Sequence, residues 1–187
     1  MLISAAVVMV GLISFGGFSG WRYLKPHLFK MASQTPKSWD GEVVLDETLK
    51  AETPFAVISA KSPVGQLSGS IRSDYFRGTG NGMTLVAASN RYSPGTRLNI
   101  GIAAEKMAEH FRSEQYARRK GIEGLQVTER KLEVLGEPAY EIEISGLADG
   151  VKFRNRMINF SCKATTYTIG LDAVDAAETS GIWNRII

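Results

Sequence analysis

Few side chains in this chain could do chemistry, and their types and spacing argue against it. Cys162 is the single cysteine, and His27 and His110 are the two histidines. A thiol beside an imidazole could form a nucleophile pair, with His110 drawing the proton from Cys162. Cys162, however, ends the apolar phase Ile158, Phe160, Cys162, where an unpaired cysteine behaves as a small inert hydrophobe. Gly78-x-Gly80-x-Gly82 has the outline of a phosphate cradle. The dinucleotide fingerprint needs a further spacing, with its third glycine one residue later, and a helix directly after it. Here Met83–Ala88 reads as a buried strand, so a flexible hairpin loop is expected at the glycines. One cysteine and two distant histidines offer no zinc ligand set, and the carboxylates are scattered or matched with basic neighbours. No catalytic residue, metal ligand or cofactor-binding residue is assigned, and a non-enzymatic protein is expected.

The strongest signal is physical rather than chemical. Residues 1–20 carry no charged side chain, and Trp21, Arg22, Tyr23 and Lys25 follow at once. About twenty apolar residues span roughly 30 Å of hydrocarbon, and an aromatic and basic border is an interfacial anchor. The rival reading, a cleaved signal peptide, needs a basic residue ahead of the apolar run and an Ala-x-Ala-like cleavage site. Neither is clear here, so an uncleaved single-pass anchor is expected over 1–22. Within it Gly16-x-x-x-Gly20 is a spacing that lets two transmembrane helices approach closely. Chance in a glycine-rich stretch is an equal reading of those two glycines.

Charge is distributed unevenly. Residues 1–40 hold Arg22, Lys25, Lys30 and Lys37 against Asp40, which already equals the net charge of +3, so residues 41–187 balance to zero. A nucleic-acid binder would concentrate positive charge on its folded part, and that class is set aside. The basic residues instead flank the apolar segment, where they can orient it or meet anionic headgroups. Residues 23–41, with Pro26, Ser33, Pro36 and Ser38, read as a juxtamembrane linker. The remaining stretch, 42–187, suffices for one globular α+β domain with its own core.

Strand signals dominate that domain. Phe55–Ser59 is a short apolar run, Gln66–Ser73 alternates through Leu67 and Ile71, and Pro94-Gly95 marks a turn. Ile100, Ala104, Met107, Ala108 and Phe111 then recur at helical spacing behind Asn99 as N-cap, and Arg118, Arg119 and Lys120 lead into Gly121 as a left-handed C-cap. Pro138–Ser145 and Gly150–Ser161 are expected to form a hairpin around Gly146–Asp149. Pairing Ser145 with Gly150 sets Ile144 against Val151 and Ile142 against Phe153 on one face. It sets Glu143 against Lys152 and Glu141 against Arg154 on the other. The consecutive Met157 and Ile158 indicate a bulge or a strand buried on both sides. Thr165–Leu171 alternates as a strand, and a closing helix from about Asp175 carries Ile182, Trp183, Ile186 and Ile187.

The segments GLQVTERKLEVLGEPAYEIEI, DGVKFRNRMINFSCKATTYTIGL and TSGIWNRII follow one another in an order that resembles the PsbP-like proteins and their bacterial envelope relatives. The resemblance covers roughly residues 54–187 and lies in the succession of elements. It implies an α/β/α sandwich with a mainly antiparallel sheet behind the N-terminal transmembrane helix. It also implies a non-catalytic accessory or docking subunit whose partners are other membrane protein subunits and the lipid bilayer, with no nucleic acid. The alternative is a domain that binds a small ligand or lipid at the membrane surface. Basic residues after the apolar run would by themselves place the domain in the cytoplasm. The resemblance implies the opposite side, periplasmic or equivalent, and an extracytoplasmic domain is the expectation adopted.

Overall fold

The computed structural model describes residues 39, 41–45, 49–62, 69–80, 82–174 and 177–186. The expected anchor 1–22, and with it Gly16, Gly20, Trp21, Arg22, Tyr23 and Lys25, lies outside these, as does the linker apart from Trp39 and Gly41. Among the described residues no helix is long and apolar enough to cross a membrane.

The described residues form nine strands and three helices in the order β1 (Gly41–Val44), β2 (Lys50–Thr53), β3 (Ile58–Ser59), β4 (Ser70–Gly80), β5 (Met83–Tyr92), α1 (Ile100–Arg112), α2 (Glu114–Lys120), β6 (Ile122–Val134), β7 (Glu137–Ala148), β8 (Val151–Cys162), β9 (Thr165–Val174) and α3 (Ala177–Ile186). Strands β3 to β9 form one antiparallel sheet in the order β3-β4-β5-β9-β8-β7-β6, and β1 pairs with β2 as a separate hairpin. Two cores lie on its two faces. On one, Ile100, Ala104, Met107 and Phe111 of α1 and Tyr116 of α2 pack on Ile142, Ile144 and Met157. On the other, Ile182, Trp183 and Ile186 of α3 join Val43 and Leu45 over Leu85, Ile158, Phe160 and Ile169. The result is the expected α/β/α layering. The central run Met157-Ile158-Asn159-Phe160 is buried at every position because β8 has a core on each side, so no bulge is needed to explain its phase.

The long helix is better specified locally than its length suggested. Asn99 accepts a hydrogen bond from the Ile102 N–H at 3.1 Å, as an N-cap should. The helix does not run on to Lys120. Ser113 leaves helical geometry (φ −67°, ψ 137°), donates to the His110 carbonyl at 2.6 Å and accepts from the Tyr116 N–H at 3.2 Å. One serine thus closes α1 and caps α2, which turns the chain so that Tyr116 reaches the core. Gly121 ends α2 in the left-handed region, φ 62° and ψ 39°.

Two sequence expectations change. Gly78 and Gly80 are strand residues of β4, not a flexible loop. A Cβ on Gly78 would stand 2.5 Å from the Ala56 carbonyl oxygen, and one on Gly80 would meet the Phe55 ring at 2.9 Å. The glycines are there to let residues 55–56 cross the strand closely. The β7–β8 hairpin turns on Asp149-Gly150 alone, with φ 52° and 77°, the pair of left-handed conformations that a two-residue type I′ turn requires. The strands therefore continue through Gly146–Ala148, and Ala148 pairs with Val151, Ile144 with Asn155 and Glu143 with Arg156. The register lies four residues from the expected one. An even slip leaves every side chain on its expected face while changing all its cross-strand partners.

Candidate functional site

The β6–β7–β8 register brings charged side chains together on the α3 face of the sheet. Thr128, Glu143 and Arg156 form one cross-strand row, and Arg130 and Glu141 belong to the next. Glu141 is nearly enclosed, its side chain 6% exposed, and both oxygens are engaged. Oε1 accepts from the Trp183 indole N–H at 2.6 Å, and Oε2 accepts from Arg130 Nε and Nη2 at 2.9 and 2.5 Å. Arg156 Nε donates to Glu143 Oε2 at 2.6 Å, and Arg154 approaches the other oxygen at 3.6 Å. Ser180 and Asn184 of α3 complete a groove of about 310 Å³.

A buried carboxylate persists only if its lone pairs are met, and Trp183, wholly buried on α3, provides a donor from that helix. The Glu141–Trp183 bond therefore couples the position of the last helix to the charged strand edge. Charge-assisted bonds of this kind contribute on the order of 1.5–3 kcal/mol each. The arrangement suits recognition of polar groups. With their oxygens taken by arginine and indole donors, these carboxylates are poorly placed to move a substrate proton.

A second polar set occupies the helix side of β4, β5, β8 and β9. Tyr75, Arg77, Asn90, Asn155, Asn159, Thr166, Thr168 and Asp172 share that face by register. Thr168 donates to Asn159 Oδ1 at 2.8 Å. The Tyr75 hydroxyl, Arg77 Nε, Asn90 Nδ2, Asn155 Oδ1, Asn159 Nδ2 and Thr166 Oγ1 are buried without a partner. Burial raises the Asp172 pKa to about 7, opposed by the nearby Arg77 guanidinium. Burial also raises the Tyr116 hydroxyl, helped by Asp172, and the Tyr75 hydroxyl, against Arg77. The alternation of Tyr167, Ile169 and Leu171 with Thr166, Thr168, Gly170 and Asp172 was the visible trace of this layer in the sequence. That alternation turns the apolar file toward α3 and the polar file toward the helices α1 and α2.

Cys162 lies half-buried at the end of β8 against the α3-side core. His110 is on α1, its ring edge-on to Phe111 and Tyr116 at 5.7 and 5.6 Å. The two belong to opposite faces of the sheet, so no thiol–imidazole pair forms. The Glu141 and Glu143 partners expected from sequence, Arg154 and Lys152, give way to Arg130 with Trp183 and to Arg156. A hairpin register alone could not reveal the first pair, because Arg130 and Trp183 come from other elements. Among the described residues no three His, Cys, Asp or Glu side chains cluster as a metal site.

No protein-family model and no curated protein sequence matches the chain. Solved structures do resemble it. Cyanobacterial PsbP (CyanoP) from Synechocystis sp. PCC 6803 superposes with a TM-score of 0.54 at 11% identity, covering 84% of this chain and 95% of that one. A Pseudomonas aeruginosa protein of unknown function gives a TM-score of 0.40 at 11% identity over 77% of this chain and 92% of its own. LpqN of Mycobacterium tuberculosis, involved in cell envelope biogenesis, gives 0.36 at 13% identity over 79% and 75%. These two overlap too loosely to bear on the fold; the superposition on CyanoP carries it, together with the α/β/α layering and the antiparallel order of strands. The fold of this protein is PsbP-like.

Proposed function

We propose that this protein is a membrane-anchored, non-enzymatic accessory subunit that docks on a larger membrane protein complex. The observation that carries the reading is the PsbP-like sandwich, a fold shared with cyanobacterial PsbP, joined in one chain to an uncharged N-terminal segment bordered by Trp21, Arg22, Tyr23 and Lys25. The charged groove beside α3 supports it, since its polar groups are held rigidly by Arg130, Glu141 and Trp183 and suit recognition of another surface. Residues 1–22 serve as the anchor, residues 23–41 as the linker, and the domain 42–187 faces the extracytoplasmic side.

Affinity purification of the full chain in mild detergent tests the proposal. Stoichiometric recovery of other membrane subunits is the expected result. Recovery of the chain alone with a bound small molecule or lipid overturns it in favour of a ligand-binding role. Reporters placed after Ile187 that work only inside or only outside the cytoplasm test the topology independently.

A further inference from the structure

The sheet has two edges, and they differ. Strand β3 is two residues long, the short edge that natural sheets use to discourage pairing. Strand β6 is thirteen residues long and, among the described residues, pairs only with β7. The β6–β7 turn is the two-residue Leu135-Gly136, φ 55° and 80°. The residues flanking such a turn exchange both backbone bonds, and bonded pairs recur at every second residue from there. Counting back from Val134–Glu137, residues Leu132, Arg130 and Thr128 bond inward to β7. Val127, Glu129, Lys131 and Glu133 then direct their N–H and C=O groups outward, where they meet no other strand among the described residues.

Grooves flank this edge on both faces. On the α3 side lies the groove of about 310 Å³ with Thr128, Arg130, Ser180 and Asn184. On the α1 side a larger one, about 560 Å³, is bordered by Glu105, Glu109, Glu129, Lys131 and Tyr140. A strand added to β6 would send alternate side chains into the two grooves. The α1-side groove has an acidic remainder. Arg112 is committed to Glu129 at 2.5 Å, Lys131 lies over the Tyr140 ring at 6.0 Å, and Glu105 and Glu109 are exposed on α1. The α3-side groove presents hydroxyl and amide groups around charges already paired.

We infer that β6 is a docking edge at which an extended segment of a partner protein adds an eighth strand, with basic side chains over Glu105 and Glu109 and small polar ones over Ser180 and Asn184. This rests on the docking function proposed above and names the surface that performs it. A second copy of this chain is the competing occupant, restricted in the registers it can take. Two-fold pairing centred on Glu129, Arg130 or Lys131 sets that residue against itself, and like charges directly opposite are destabilising.

The probe is a short fluorescent peptide alternating lysine with threonine, and the control alternates glutamate with threonine. Both are titrated against the full chain in mild detergent by fluorescence anisotropy. The lysine peptide binds and the glutamate peptide does not. Lys131→Pro removes an outward N–H, a position where an edge strand tolerates proline, so it keeps the fold and weakens binding about tenfold or more. Glu105→Lys with Glu109→Lys, remote from the backbone edge, removes the preference for lysine over glutamate. No binding of the lysine peptide, or equal binding to Lys131→Pro with unchanged circular dichroism, overturns the inference. So does a wild-type dimer that Lys131→Pro dissociates, or binding that appears only when residues 23–38 are deleted. Detergent purification separates this from the parent reading. Membrane subunits that co-purify equally with wild type and Lys131→Pro leave docking standing and sink the edge. Lysine-peptide binding lost in Lys131→Pro, without any co-purifying subunit, sinks docking and keeps the edge.

Discussion

Asp172 stands on the helix side of β9, opposite Thr84 of β5 and Asn155 of β8. Burial lifts its pKa from 3.8 to about 7, with Arg77 working in the opposite direction. A carboxyl raised in the folded state binds its proton more tightly there than in the unfolded chain. Below the unfolded value both states are protonated and the stability is fully present. As pH rises, the unfolded chain ionises first and stability falls, until the folded carboxyl also ionises near pH 7 and the loss is complete. The interval between the two values corresponds to about 4 kcal/mol as an upper limit, and solvent reaching this partly buried residue brings the expectation to roughly 2–4 kcal/mol. Asp172→Asn keeps the shape and never ionises. Urea unfolding of the full chain, followed by circular dichroism, should show wild type losing stability relative to Asp172→Asn by that amount between about pH 4 and about pH 8. Other titrating groups cancel in the difference. A difference that stays flat, or grows in favour of wild type with pH, refutes the reasoning. It would mean that ionised Asp172 pairs with Arg77, whose buried Nε has no hydrogen-bond partner.

Trp183→Phe retains most of the buried ring and deletes the donor to Glu141, so urea unfolding should report a loss of about 1.5–3 kcal/mol, and a loss below half of that argues that Arg130 alone satisfies the carboxylate. Gly78→Ala places a methyl 2.5 Å from the Ala56 carbonyl oxygen and should cost roughly 1–3 kcal/mol by overpacking; a neutral result in thermal melts shows that residues 55–56 are free to retreat. Cys162→Ser should shift the melting temperature only modestly, because the thiol is half-buried at a strand end, and leave co-purification of partners intact. Loss of that role in a folded mutant reinstates a thiol-dependent function. The anchored chain should resist carbonate extraction from membranes, and a soluble protein whose mature N-terminus lies beyond Gly20 contradicts the anchor.

Local chemistry was legible in the sequence wherever neighbours along the chain settle it. Asn99 and Gly121 cap helices as expected because capping involves groups three or four residues apart. The faces of β7 and β9 followed from alternation, and the order of elements resembled the fold that the superposition on CyanoP bears out. Ser113 shows the limit, since whether a serine extends a helix or breaks it depends on what Tyr116 gains by reaching the core. The hairpin register was undecided for a different reason. An even slip keeps both faces intact, so periodicity carries no information about it, and only Asp149-Gly150 and the Glu143–Arg156 contact choose. The partners of Glu141 were beyond alternation altogether, and of the polar layer around Asp172 alternation showed only the file on β9. They join β6 to β7 and α3, and β4 to β8 and β9, and a carboxylate's environment is set by whichever distant elements close over it. The sequence by itself determined the elements, their buried faces and their layering, because backbone geometry and hydrophobic period act within a few residues. Only the tertiary structure decided which charges meet, which polar groups are enclosed and which strand edge stays open, because those depend on contacts between segments far apart in the chain.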